Sequence, residues 1–268
     1  MMKVENSTVS TTGDSSPAIM IADGGGILIA DGGSFTTSGA MSQGIYSKGD
    51  VTVTNASVNA LNAKAAVLKG NNTITLSGTT LEGKETTDTV PYNIVLFSDE
   101  KDIGTMGTQH FDVRGGSLIS HKGGMFYVTA THGKISLNGT AITMDNPAAN
   151  LITVAGNDGA NGWGTPGRNG GHVELVADNQ VLTGNISVDS ISNINMTLKN
   201  NSTFNGMISI VPNAEGGEKY KTNADVFIAA GSTWNLTGNS TLTSLYNLGT
   251  INYNGYTITL ADGTVMKE

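Results

Sequence analysis

The chain has no cysteine, only two arginines (Arg114 and Arg168) and only 13% charged residues among its 268 positions. Each shortage excludes something. Without cysteine an exported protein has no disulfide scaffold, so its core must carry its stability. A thiol nucleophile is excluded as well. The charged share is about half the usual one, and its balance is acidic, with a formal net charge of −8. Nucleic-acid binding needs a basic surface to displace counterions from phosphates, and this composition supplies none. Anionic membrane surfaces are disfavoured for the same reason. No stretch approaches the roughly 18 apolar residues of a transmembrane helix, so membrane insertion by this fragment is not expected. The chain does not open on a basic segment followed by an apolar one, as a secretory signal would. Met1-Met2-Lys3 reads as an added start on an excised fragment, with the native signal and any anchor expected outside it.

What the chain has is glycine, 36 residues of it, together with much Ser, Thr and Asn and an apolar content of 38%. That mixture suits many short strands joined by tight turns, not a helical or α/β enzyme. A phrase recurs: Gly or Asn, a small polar residue, an inward apolar residue, then more small polar ones. It reads Asn6-Ser7-Thr8-Val9, Gly33-Ser34-Phe35, Asn55-Ala56-Ser57-Val58, Gly78-Thr79-Thr80-Leu81, Gly116-Ser117-Leu118 and Gly139-Thr140-Ala141-Ile142. The anchors Val9, Phe35, Val58, Leu81, Leu118 and Ile142 are 26, 23, 23, 37 and 24 residues apart. Fixed periods of this size mark repeat architectures.

Between anchors lie two or three strand-length segments rich in β-branched residues, such as Thr73-Ile74-Thr75-Leu76 and Asn93-Ile94-Val95-Leu96-Phe97. Three strands per coil, each hydrogen-bonded to its neighbours above and below at about 4.8 Å, make a single-stranded right-handed parallel β-helix, an all-β solenoid. Roughly ten coils give a rod about 50 Å long, all in one domain spanning residues 1–268. Residues 56–68 have some helical periodicity, but Asn55, Asn59, Asn62 and Gly70 favour turns over a helix. Three segments break the rhythm: 83–110 (two insertions flanking the strand at 93–97), the glycine-rich 156–171, and 212–224. Insertions leave a solenoid on one side and often build its binding face. Residues 225–262 read as the most regular coils, with Phe227, Trp234, Tyr253 and Tyr256 at pattern positions and Trp234 in the core.

One stretch carries a family signal. Ala230-Gly231-Ser232-Thr233-Trp234-Asn235-Leu236-Thr237-Gly238-Asn239-Ser240, followed by Leu248-Gly249-Thr250-Ile251, resembles the end of autotransporter-type bacterial adhesin passengers. Gly184-Asn185-Ile186-Ser187-Val188 and Asn200-Asn201-Ser202-Thr203-Phe204 fit the same pattern, so the likeness covers roughly residues 180–262. It implies secretion, a right-handed β-helix stalk of the pectate-lyase-like superfold, and roles in adhesion or self-association.

Chemistry is thinner on the ground. A lyase on this fold would need a carboxylate cluster holding Ca²⁺ and a basic residue near the proton removed. Asp23 and Asp31 sit in a near duplication, Ile-Ala-Asp-Gly-Gly, where they could face one another across a turn; Asp and Gly in turns are more often structural. A hydrolase would need two carboxylates about 5–9 Å apart. Asp99, Glu100 and Asp102 beside Lys101, and Glu85 and Asp88, read instead as solvated loops. His110, His121 and His132 fall at different angles of a 23-residue coil and are not expected to share a metal. The glycine loop lacks the Gly-Lys-Ser/Thr of a phosphate loop. Its Trp163 and Arg168 are the sharpest recognition candidates, since Trp stacks on sugars and Arg binds carboxylates, with Asn169 and Asp158 beside them. The plainer alternative is that Trp163 folds back to anchor the loop. Sequons at Asn6, Asn138, Asn185, Asn201 and Asn239 follow from composition. The expectation is therefore a secreted or surface-exposed bacterial stalk and binding surface, non-catalytic, without cofactor or metal. Its partner would be a surface glycan, a protein or a second copy. A polysaccharide lyase or hydrolase and a plain spacer are the alternatives.

Overall fold

The computed structural model describes residues 1–85, 90–99 and 107–268, and within them the chain is strands and turns with no helix. Every strand pairing is parallel except the last, where Ile258–Leu260 meets Val265–Met266 in antiparallel fashion. Residues 56–68 form two strands, Ser57–Ala60 and Ala66–Lys69, joined by a turn.

The strands stack into three faces. The long face runs from 2–5 and 27–31 through Asp50–Thr54, Thr73–Ser77, Thr108–Arg114, Thr131–Asn138, Gly171–Asp178, Asn193–Lys199 and Ala224–Ile228 to Ser244–Asn247. That is a ladder of ten rungs among the described residues, so the chain is a parallel β-helix of ten coils. The short face stacks 7–11, 34–37, Ser57–Ala60, Thr80–Gly83, Ser117–Ser120 and Ala141–Met144. A second ladder, from Val181–Thr183 to Thr250–Asn252, continues it. The loop face stacks Ile19–Ile21, Ile45–Ser47, Ala66–Lys69, Tyr92–Phe97, Gly124–Thr129, Ile152–Val154, Ile186–Asp189 and Ile208–Val211.

The six anchors stand opposite one another on the short face: Val9 beside Phe35, Phe35 beside Val58, then Leu81, Leu118 and Ile142. The inner four are fully buried. Val9 is half-buried because its strand is the end of the stack. Ile142 is half-buried beside the gap in strand pairing between Ala141–Met144 and Val181–Thr183.

The corner between long and short faces explains the recurring Gly or Asn. In nine successive coils the corner residue has positive φ: Asn6, Gly32, Asn55, Gly78, Gly115, Gly139, Asn179, Asn200 and Gly231. Gly, and Asn at modest cost, adopt that left-handed region most readily. Stacking adds a second constraint. A Cβ on Gly78 (φ 57°) would sit 2.8 Å from Oδ1 of Asn55 in the coil below, so a larger residue there would displace the Asn55 side chain.

The carboxy-terminal coils differ from expectation. Steps of 23 residues between rungs near the start become 19 residues from Val226 to Leu245 and 17 from Trp234 to Ile251. Of the four aromatics at pattern positions, Trp234 is in the core, fully buried, its Nε1 donating to the Gly206 carbonyl at 2.9 Å. Phe227 points outward, because Val226 and Ile228 on either side of it point in. Tyr253 is half-buried and Tyr256 is exposed.

Candidate functional site

Two outer surfaces compete for function, and they are built differently. On the loop face, strand Tyr92–Phe97 is apolar on both sides, so its outward side chains need cover. Val67, Val95, Phe97 and Tyr127 form a second apolar cluster outside the coil, with Tyr46, Val90, Tyr92, Ala155 and Trp163 packed on it. Trp163 lies on Phe97 with ring centroids 4.5 Å apart, and Tyr92 stacks on Tyr127 at 5.2 Å. Burial of the Tyr127 phenol, only 6% exposed, pushes its pKa up to about 12.

The glycine loop is therefore a lid held down by its tryptophan. Its hydrogen bonds point the same way. Asn169 is 1% exposed; its Nδ2 donates to the carbonyls of Asn157 and Trp163, both at 2.9 Å, and its Oδ1 accepts from Asn157 N. Buried Asp189 ties this loop to the next insertion, accepting from Gly156 N at 2.8 Å and from Asn213 Nδ2 at 2.5 Å. Of the four residues expected to form a recognition site, Asn169 and Trp163 are thus spent on holding the loop. Arg168 is exposed, and Asp158 is exposed on an open cleft of about 470 Å³ between the two insertions.

The remaining candidates also fall elsewhere. Asp23 does not face Asp31: it pairs with Lys48, whose hydrogen bond holds its carboxyl below the usual range. Asp31 points outward between Glu5 and Thr54 of the neighbouring rungs. Glu85, read as a solvated loop residue, is buried with Lys64 3.8 Å away. Asp99 pairs with Lys69. Asp88, Glu100, Lys101 and Asp102 lie outside the described residues. His110, His121 and His132 share no row: His121 sits between Glu82 (2.7 Å) and Asp145 (2.6 Å), and His110 pairs in register with Thr73 and Lys134. His132 stacks instead on His172 at 4.8 Å, a pair separated by the insertion and so invisible at coil spacing. Among the described residues no three His, Asp or Glu gather as a metal ion needs.

The outward side of the long face carries the second surface. Alternation on each strand places three rows side by side. The central row reads Thr52, Thr75, Asp112, Ser136, Val176, Thr197, Phe227, Tyr246. One flank reads Ser77, Arg114, Asn138, Asp178, Lys199; the other reads His110, Lys134, Glu174, Asn195, Asp225, Ser244. An open groove of about 870 Å³ runs over rungs four to eight, floored by Asp112, Arg114, Lys134, Glu174, Asp178 and Lys199. Its charges are mostly paired: Lys134 Nζ lies 2.9 Å from Glu174 and Lys199 Nζ 3.4 Å from Asp178. The Asn200 amide hydrogen bond, then Lys199, hold the Asp178 carboxyl below its usual range. Sequence reasoning missed this groove, although the alternation of each strand already assigned these residues outward.

Comparison of the chain with protein-family models, with curated proteins and with solved structures finds no match.

Proposed function

We propose that this β-helix is a non-catalytic binding module of a secreted or surface-exposed bacterial protein, adhesin-like in its role, with the long face as its ligand track. One observation carries the reading. The long face presents three rows made mostly of Thr, Ser, Asn and charged residues over successive rungs, interrupted by Val176 in the central row, while the glycine loop folds onto the apolar loop face. A polar, regularly spaced surface suits an extended polymer, each rung offering donors and acceptors about 4.8 Å further along. The resemblance of residues 180–262 to adhesin passengers points to the same role. Binding to a glycan array with retention of intact ligand tests it; an array of neutral and acidic glycans that captures nothing rejects it.

A second reading has its own observation. The groove gathers Asp112, Glu174 and Asp178 with Arg114, Lys134 and Lys199, the residue types a polysaccharide lyase or hydrolase employs. Against it, Asp178 is held as an anion, the opposite of what a general acid requires. Release of unsaturated or shortened products from polygalacturonate, lost in Asp112→Asn, would establish this reading in place of the first.

A further inference from the structure

Beyond the charged groove, the long face changes character. Its last two rungs put Phe227 and Tyr246 next to each other in register on the outward side, rings stacked with centroids 5.6 Å apart and planes at 23°. Tyr246 is 63% exposed, and the pair borders a shallow open groove of about 330 Å³ that meets the charged one at Thr197. Neither ring belongs to the core, which Val226 and Ile228 fill from the other side of the same strand. An aromatic pair on the outward side, with Tyr246 largely exposed and Phe227 half-buried beneath it, marks a contact site on a mostly polar surface.

We infer that Phe227 and Tyr246 form an aromatic step on which the pyranose rings of a neutral linear glycan stack. Three features select that ligand. A sugar ring presents C–H bonds on its face and hydroxyls at its edge, so it needs an aromatic plane with hydrogen-bonding groups beside it. Asn195, Asp225 and Ser244 form such a row on the adjoining flank, with Ser244 Oγ donating to Asp225 Oδ1 at 2.5 Å. Charge supplies the second feature: Asp225 is the sole charged residue lining this groove among the described residues, and an anion there repels uronates and sialic acids. Spacing supplies the third. Successive rungs lie about 4.8 Å apart, close to the length of one hexose along an extended glycan, so a chain seated at Tyr246 continues rung by rung past Phe227 and Thr197. This inference rests on the long face being the ligand track, and it names the sugar class and the end of the track that holds it.

The test is calorimetric titration of the whole chain with neutral cello-, xylo-, manno- and chito-hexaose, and with polygalacturonate. Tyr246→Ala, Tyr246→Phe, Tyr246→Leu and Arg114→Ala are compared with the parent, each shown to melt normally. Expected is binding of at least one neutral hexasaccharide, weakened about tenfold by Tyr246→Ala and Tyr246→Leu and kept within about twofold by Tyr246→Phe, since the aromatic plane and not mere apolarity makes the contact. A bound neutral glycan indifferent to Tyr246→Ala but lost with Arg114→Ala would overturn the step and leave the track intact. Binding of polygalacturonate alone would do the same. Capture of neither class would remove both. Sedimentation that shifts in Tyr246→Ala while sugar binding does not would make the ring pair a self-association surface and overturn the inference.

Discussion

The long face and the loop face share one core and the same strand spacing, yet one is mostly polar and mostly uncovered and the other apolar and covered. The difference starts in single strands. In Asp50–Thr54 and Thr73–Ser77 apolar and polar residues alternate, and one side alone needs burial. In Tyr92–Phe97 and Gly124–Thr129 nearly every side chain is buried, so the chain must supply a second layer. The glycine loop supplies part of it through Trp163 on Phe97. Insertions that read as binding loops in the sequence are, on this surface, structural cover. Apart from the Tyr220 contact with His172, the long face is clear of these insertions and free to meet a ligand.

The contrast is sharpest between the two tryptophans. Trp234 is fully buried in the core, beside Phe204 at 5.6 Å, and Trp234→Ala is expected to cost about 3–5 kcal/mol. Trp163 is half-buried in the outer layer, and Trp163→Ala is expected to cost about 1–2 kcal/mol and to raise proteolysis within 156–171. Denaturant melts of both variants check the order; equal losses would mean that the outer layer is as integral as the core.

Alkaline pH separates the two faces next. Tyr127 keeps its proton in the folded chain up to about 12, whereas the unfolded chain ionises near 10.0. The unfolded state therefore holds fewer protons in that window, and stability falls as pH rises from 10 to 12. At about 1.4 kcal/mol per unit of pKa the loss is of order 2–3 kcal/mol. Tyr127→Phe is expected to flatten the decline in thermal melts across that range; an unchanged decline would place its cause elsewhere.

Acid pH acts where the 212–224 insertion reaches the long face. Tyr220 packs on His172 at 4.8 Å, and His172 stacks on His132. Burial lowers the His172 pKa below 6.5, opposed by Asn193, whose Oδ1 lies 2.7 Å from Nδ1, and by Asp189, and reinforced by His132. A lowered folded pKa means the unfolded state binds more protons, so stability is full above 6.5 and falls as pH drops through the lowered folded value. Hydrogen exchange at 218–222 is expected to quicken over that window, and His172→Asn to abolish the dependence.

The smallest effect belongs to the ion pairs of the groove. Lys134→Ala and Glu174→Ala are each expected to change stability by only about 0–1 kcal/mol, because the pair is exposed. They are expected to weaken ligand binding nonetheless. A melting loss comparable to Trp163→Ala would show the groove charges to be structural.

How much of this the sequence carried depends on distance along the chain. The anchors from Val9 to Ile142 were legible because their register repeats at coil length, and the corner Gly or Asn because positive φ leaves few choices. The outward side of Phe227 was legible from its parity against Val226 and Ile228. The His132–His172 stack was not legible, since a 40-residue step separates partners that are one rung apart. Nor was the second apolar layer, because a glycine-rich segment gives no sign of where it will fold down. The Trp163 contact with Phe97 bridges 66 positions, and only the continuous apolar run at 93–97 hinted that something must cover it.

The absence of cysteine permits a direct test of which face binds. Ser136→Cys places a single thiol on the central row of the long face, and Asn161→Cys places one on the exposed glycine loop. Each is coupled to a bulky maleimide and applied to the glycan array that the unlabelled chain recognises. The account predicts that the label at position 136 abolishes binding and the label at 161 leaves it unchanged; loss of binding with the label at 161 and none at 136 would contradict it.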